Sequence, residues 1–367
     1  MSDQDPFIGQ SILDGQFQIL ERIGSGAMGA VYKALQPQMN RMVAVKILHK
    51  KYTQRPDLAS RFRREARAMS HLTHPNTAKV FLYGELEDGS LYIVMEKLEG
   101  QNLNQSLHAE GPFDLKRAIA ILVQVCGALD EAHAAGIIHR DLKPENIFLC
   151  QQPTLRDFPK VLDFGLAKVT EREMRPGSIV ITREGMVFGT PEFMSPEQAE
   201  GKTLTPASDL YSLAIIFYEL ITGKLPFDGD SANAFISAHL RAKPIPLRER
   251  APERNFPEVL SMFFDKALQK NPEDRFRSSR EFASALSACA EVVGEGGPGR
   301  APSLPPAPAI DRESTIDEMI AGTKSARPPA RVQPTSGTSM KLIAAVAAVF
   351  LVIGMVVMSL VSELIKK

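Results

Sequence analysis

The sequence has 367 residues, no tryptophan and three cysteines. Cys126, Cys150 and Cys289 are far apart, odd in number and without a Cys-x-x-Cys pair. That argues against a disulfide framework or a zinc site and leaves reduced thiols. Neither sign of charge is in excess, because 43 Lys and Arg balance 43 Asp and Glu. This balance argues against a general nucleic-acid binder. The opening MSDQDPFIGQ lacks the basic start and apolar run of a secretory signal. No repeat occurs at solenoid periods.

Five segments follow from composition. Residues 1–16 read as an N-terminal tail, and residues 17–290 as a folded domain with dense apolar periodicity and regular Gly/Pro punctuation. Residues 291–340, with GEGGPGRAPSLPPAPA, bury too little apolar surface to offset their ordering entropy and read as a linker. Within residues 341–362, Leu342 to Val361 contain no charge. As a helix this segment is about 30 Å long, the thickness of a bilayer core, which predicts a transmembrane span. Lys324, Arg327, Arg331 and Lys341 precede it, and only Lys366 and Lys367 lie in the short tail 363–367. That bias predicts a cytoplasmic N-terminal side at the cell membrane, and the short tail predicts no outer sensor domain. Small residues in AAVAAVFLVIG allow helix packing and make a homodimer a candidate.

Near the start, Gly24-x-Gly26-x-x-Gly29-x-Val31 leads into VYKA and MVAVKIL, both strand-like. A dinucleotide-binding turn would lead into a helix, so strand–loop–strand suits a flap over nucleotide phosphates. Alternation puts Ala44 and Lys46 on one face of the next strand, and Val43, Val45 and Ile47 on the other. A small Ala44 could roof a purine while Lys46 reaches the phosphates. In DLASRFRREARAMSHL, Leu58, Phe62, Met69 and Leu72 form a helical stripe, and Glu65 fills its remaining slot. A carboxylate there needs a partner. Arg61 or Arg64 would make it structural, whereas Lys46 would make it functional.

DLKRAIAILVQVCGALDEAHAAG reads as a helix capped by Asp114, striped by Leu115, Ile119, Leu122, Cys126 and Leu129, and ended by Gly136. IIHRDLKPENIFL then sets His139, Arg140, Asp141, Lys143, Glu145 and Asn146 between two apolar ends. Buried charge is costly unless it is paired or used. After the polar excursion CQQPTLRDFP comes KVLDFGLAK, with Asp163-Phe164-Gly165.

These two loops, after the glycine loop, VAVK and Glu65 in that order, resemble the catalytic and magnesium-binding loops of protein kinases. GTPEFMSPE (Gly189 to Glu197) resembles the end of a kinase activation segment, with Ser195 in place of alanine. SDLYSLA and NPEDRF resemble later helix motifs. The wording DLKPEN is that of serine/threonine kinases, and GSGAMGAVYKA with the apolar tail is similar to bacterial membrane-anchored members. The resemblance implies an α+β, two-lobed kinase fold: an antiparallel sheet with one helix, then a mostly helical lobe. It also implies ATP with Mg²⁺ or Mn²⁺ and protein substrates bearing Ser or Thr.

Site residues follow from the same resemblance. Asp141 orients or deprotonates the substrate hydroxyl, and Lys143 neutralises the transferring group. Asn146 and Asp163 supply hard oxygen ligands to the metal. The nucleotide is expected against Ile23, Gly24, Ser25, Gly26, Ala27, Met28, Gly29, Ala30 and Val31. Ala44, Lys46, Glu65 and Met95, with backbone at Glu96 and Leu98, complete that pocket. Glu197 and Arg275 form a structural ion pair. Arg140 would meet a phosphate on the activation segment, with Thr182 as the autophosphorylation site and Thr190 in a structural role. Thr315 and Thr335 in the linker are candidate sites for phosphothreonine-binding partners. The alternative is a pseudokinase acting as a membrane-bound scaffold. Pseudokinases typically lack one of the lysine or aspartates, and this sequence has Lys46, Asp141, Asn146 and Asp163.

Overall fold

Period-two alternation in the first third of the chain folds into one antiparallel sheet. The computed structural model describes residues 5–26, 29–50, 56–151, 156–165 and 190–294. Its strands are β1 (Ser11–Ile12), β2 (Phe17–Gly26), β3 (Gly29–Gln36), β4 (Arg41–Leu48), β5 (Val80–Glu85) and β6 (Leu91–Glu96), in the order β1-β2-β3-β4-β6-β5. Val43, Val45 and Ile47 of β4 enter an apolar cluster with Ile19, Tyr32 and Val94. Helix α1 (Pro56–Met69) lays Leu58, Phe62 and Met69 into the main core with Leu48 and Ile93. Each such fully buried side chain contributes about 1.5–3 kcal/mol relative to an exposed one.

A second antiparallel sheet has three strands, β7 (Gly100–Asn102), β8 (Ile147–Cys150) and β9 (Phe158–Val161), in that order. It matters for the site because the charged loop feeds into β8 and Asp163 follows β9. Helices fill out the second lobe: α2 (Leu103–Glu110), α3 (Leu115–Ala134), α4 (Pro196–Ala199), α5 (Pro206–Thr222), α6 (Ala232–Arg241), α7 (Leu247–Arg250), α8 (Glu258–Ala267) and α9 (Ser279–Gly294). The Asp114 carboxylate caps α3, accepting from Lys116 N at 2.9 Å and Arg117 N at 3.3 Å. Beyond the expected stripe, Ala118, Ile121, Val125, Ala128 and Ala132 are also buried, because α3 is covered by α5, α9 and β9. Helix α5 is buried along almost its whole length and forms the centre of the lobe.

The folded unit exceeds the boundaries expected from composition at both ends. Residues 5–16 join the sheet rather than trailing from it: Ile12 pairs with Phe17 and is buried, and Asp5 accepts a hydrogen bond from the Tyr32 hydroxyl at 3.1 Å. At the other end α9 continues to Gly294, with Leu286 and Cys289 in the core. All three cysteines are buried free thiols. Among the described residues no helix is long and apolar enough to cross a membrane. The expected linker beyond residue 294, the span 341–362, Ala27, Met28 and Thr182 lie outside the described residues.

Candidate active site

The charged loop hangs on one buried carboxylate. Asp209 of α5, 1% exposed, accepts from His139 N at 2.8 Å and Arg140 N at 3.0 Å, and meets His133 Nε2 at 2.7 Å. Burial alone would raise the titration of Asp209; the His133 contact and the Arg140 amide outweigh it and hold the group below the ordinary carboxylate range. Arg140 takes a left-handed backbone conformation, φ 71°. His139 is fully buried, its Nε2 donates to Leu162 O at 2.8 Å, and its ring lies 5.0 Å from that of Phe164. The apolar ends of the loop are buried as expected, with Ile137, Leu142, Ile147 and Leu149 all in the core. Only the exit is a strand. Ile137 and Ile138 stay irregular, because the entry is fixed by Asp209 instead of by a ladder.

The charged groups converge. Lys143 Nζ lies 3.2 Å from Asp141 Oδ2 and donates to Thr190 Oγ1 at 2.9 Å. Asn146 Nδ2 donates to Asp141 O at 2.7 Å, and Asn146 O accepts from Leu162 N at 2.9 Å. Asp163, also left-handed at φ 55°, meets Lys46 Nζ at 2.7 Å. No three His, Cys, Asp or Glu side chains cluster as a metal cage among the described residues. Asn146 and Asp163 nevertheless suit a magnesium ion that shares its ligands with phosphate. Both offer hard oxygens, and the amide nitrogen of Asn146 is already spent on Asp141, which leaves Oδ1 for a cation.

On the nucleotide side, β2 and β3 form the expected hairpin, with Gly24 opposite Val31 and Gly26 opposite Gly29. The three glycines differ in why they are glycine. A Cβ on Gly29 would lie 2.1 Å from Ile47 O, so this position is dictated by packing on β4. Gly24 and Gly26 face no such obstacle, which keeps the phosphate-flap explanation for them. Ala44 is buried. Met95 lines a small apolar recess with Met69, Val161, Asp163 and Phe164, at the back of the cleft. The Glu96 side chain is held by Lys160 at 2.8 Å and by Lys79 N at 2.6 Å. Ile23 is half exposed, and Leu98 follows the end of β6.

Of the partners open to Glu65 on sequence grounds, the structure shows Arg64. Glu65 is buried on the stripe as expected, but it meets Arg64 at 3.1 Å while Lys46 meets Asp163. The Lys46–Glu65 pair is not among the ion pairs of the described residues. Asp163, which follows β9, takes the Lys46 ammonium at 2.7 Å, and Glu65 lies near Gly165, where a Cβ would come within 3.6 Å of its Oε2.

Glu197 and Arg275 do come together, in a bidentate pair with both distances 2.8 Å and both side chains at most 3% exposed. Burial alone would raise Glu197; the Arg275 bonds hold it below the ordinary range. Three carboxylates had no role in the sequence reading. Glu145, Glu192 and Glu219 each have a buried oxygen without a hydrogen-bond partner among the described residues. Burial, then the Glu145 charge, pushes Glu219 up to about 7. They are too far apart in sequence to signal one another. Asp209 was visible inside SDLYSLA, but nothing local indicated that it holds the loop.

The sequence matches the family described as "Protein kinase domain" over residues 17–286. It is 43% identical to serine/threonine-protein kinase pkn3 of Myxococcus xanthus over 286 residues, covering 78% of this chain and 52% of that protein. It is 39% identical to serine/threonine-protein kinase PknA of Mycobacterium tuberculosis over 280 residues, covering 75% and 62%. The chain thus spans about half the length of the curated relatives it matches. The crystal structure of the PknI kinase domain from M. tuberculosis superimposes with a TM-score of 0.58 at 27% identity, covering 77% of this chain and 98% of that one. These likenesses run through the sheet, the charged loop and the helices that hold it, and on them the chain belongs to the protein kinase family.

Proposed function

We propose that the chain transfers the γ-phosphoryl group of ATP to serine or threonine hydroxyls of proteins while tethered to the cytoplasmic face of the cell membrane. The observation that carries the reading is the convergence of Asp141, Lys143 and Asn146 on one loop, with the Lys46–Asp163 pair across the cleft. Phosphoryl transfer needs positioning and charge neutralisation more than covalent help. Asp141 orients the acceptor hydroxyl and takes its proton. Lys143, already bonded to Thr190, stabilises negative charge on the transferring group. Lys46 holds the α- and β-phosphates under the β2–β3 hairpin. Asn146 and Asp163 hold Mg²⁺ or Mn²⁺, which when bound neutralises phosphate charge. Autophosphorylation at Thr182, with Arg140 as its charge partner, is the regulatory part of the proposal. Phosphothreonine-binding partners at the linker and a dimer through residues 341–362 extend it.

The test uses the full chain in mild detergent, with radiolabelled ATP, Mg²⁺ and a generic basic protein. Wild type is expected to label Ser and Thr, and Asp141→Asn to lose at least ~10³-fold in rate. If neither labels while ATP binds, the scaffold reading replaces this one. A phosphosite map lacking Thr182 removes the regulatory part alone.

A further inference from the structure

Helix α4 is a single turn, and its N-cap Ser195 forms a capping box with Gln198. Gln198 Oε1 accepts from Ser195 N at 3.0 Å and from Ser195 Oγ at 3.1 Å. A capping box accepts glutamate as readily as glutamine at this position. The cap therefore leaves the choice of glutamine unexplained.

The other end of the side chain supplies the reason. Gln198 Nε2 donates to Arg140 O at 2.6 Å. The amide orientation is set by its partners, because Ser195 N–H can only donate and the Arg140 carbonyl can only accept. Glutamate would keep the cap and lose this donor. The Arg140 carbonyl belongs to the peptide unit that enters Asp141. The peptide unit leaving Asp141 is held through its own carbonyl by Asn146 Nδ2 at 2.7 Å. With Arg140 N on Asp209 at 3.0 Å, the left-handed Arg140 is held on both sides. The backbone of Asp141 is thus fixed before and after its Cα, and one of the two fixing groups comes from the residue that directly follows the segment ending at Glu197.

We infer that Gln198 is a positioning residue for Asp141, tying the end of the activation segment to the catalytic loop through the Arg140 carbonyl. Its effect on turnover rests on the kinase reading; its effect on the loop does not.

The experiment compares the full chain with Gln198→Glu, which keeps the cap, and Gln198→Met, which removes both contacts. Four quantities are read: kcat, KM for ATP, thermal midpoint, and amide hydrogen exchange in the peptide spanning residues 139–146. Both variants are expected to exchange faster in that peptide and to lose about 10- to 100-fold in kcat, as for a small misplacement of a reacting group. KM for ATP should not change, and only Gln198→Met should lower the midpoint. Wild-type kcat and exchange in Gln198→Glu would overturn the inference. So would a loss in Gln198→Glu that comes with a lowered midpoint and faster exchange throughout α5, because the role would then be structural. If wild type transfers no phosphate yet the loop exchange responds as expected, the kinase reading fails and the Gln198 clamp stands.

Discussion

Burial acts on Glu219 and His239 in opposite chemical senses. Glu219 is raised from 4.5 to about 7 by burial and then by the Glu145 charge. Between those values the folded chain holds a proton that the unfolded chain gives up, so stability falls as pH rises from about 4.5 to 7. Glu219→Gln is expected to stabilise by about 1–3 kcal/mol at pH 8 and to do nothing at pH 4, read by urea unfolding at both. His239 is lowered from 6.5 to about 4, first by burial and then by the Lys270 charge. It is neutral, with Nδ1 accepting from Tyr211 Oη at 3.0 Å and Nε2 donating to Glu192 O at 3.1 Å. Here the unfolded chain binds the proton first, so stability is lost as pH falls from 6.5 towards 4. The loss is on the order of 3 kcal/mol, and His239→Gln should flatten that limb of the stability profile. An unchanged limb in the variant would mean that another group causes the acid loss.

At the scale of elements, the segment 190–198 is tied to the helical lobe by contacts that share few residues. Ser212 Oγ of α5 donates to Phe193 O at 2.7 Å, His239 of α6 bonds Glu192 O, and Arg275 grips Glu197. Arg275 also donates to Gln269 O, Lys270 O and Ala207 O and stacks over Tyr211, so its guanidinium is fully used. Arg275→Met would strand the Glu197 carboxylate in the core. The expected cost is about 3–5 kcal/mol, because an uncompensated buried charge remains. Glu197→Gln in the same background should recover part of it, since the charge is then gone. A loss below about 1 kcal/mol, the size of an exposed pair, would contradict this account. Helix α5 shows the same economy of position. Its buried length makes it the fixed post on which Asp209 carries the loop, and one aspartate orders two consecutive amides.

For the whole molecule, the arrangement depends on two hairpins meeting at one cleft. The β2–β3 hairpin sets Gly24 opposite Val31, which in turn lies opposite Lys46, and the β8–β9 pair brings Asn146 beside Leu162, next to Asp163. The proposed transfer does not depend on where the chain sits, so the proposed membrane tether needs its own test. The full chain is expected to sediment with membranes and to resist carbonate extraction, whereas a chain stopped after residue 299 should stay in the supernatant. That stop lies just past α9, which ends at Gly294. Release of the full chain by carbonate would remove the tether from the proposal and leave the transferase reading intact.

What the sequence determined by itself was local. The groups proposed for catalysis that are separated by a few residues, Asp141, Lys143 and Asn146, are legible because one loop carries them all, and their order with Gly24, Lys46 and Asp163 implies the fold. Glu65 was legible as a buried carboxylate, because helical period alone places it on the stripe. Its partner was not, because Arg64 and Lys46 were both within reach on sequence grounds. Only the tertiary structure set Lys46 against Asp163, 117 residues away. It alone hung the loop on Asp209, brought the Glu145 and Glu192 charges to bear on Glu219, and set Gln198 against Arg140. Each of these contacts joins separate elements, and no period or motif encodes which groups a packed core will bring face to face. The same holds at the N-terminus, where a polar composition suggested a tail and the pairing of Ile12 with Phe17 made it a strand. Short-range chemistry is written in residue type and spacing. Long-range chemistry is decided when apolar burial fixes the elements and leaves each buried charge with whichever partner then lies within reach.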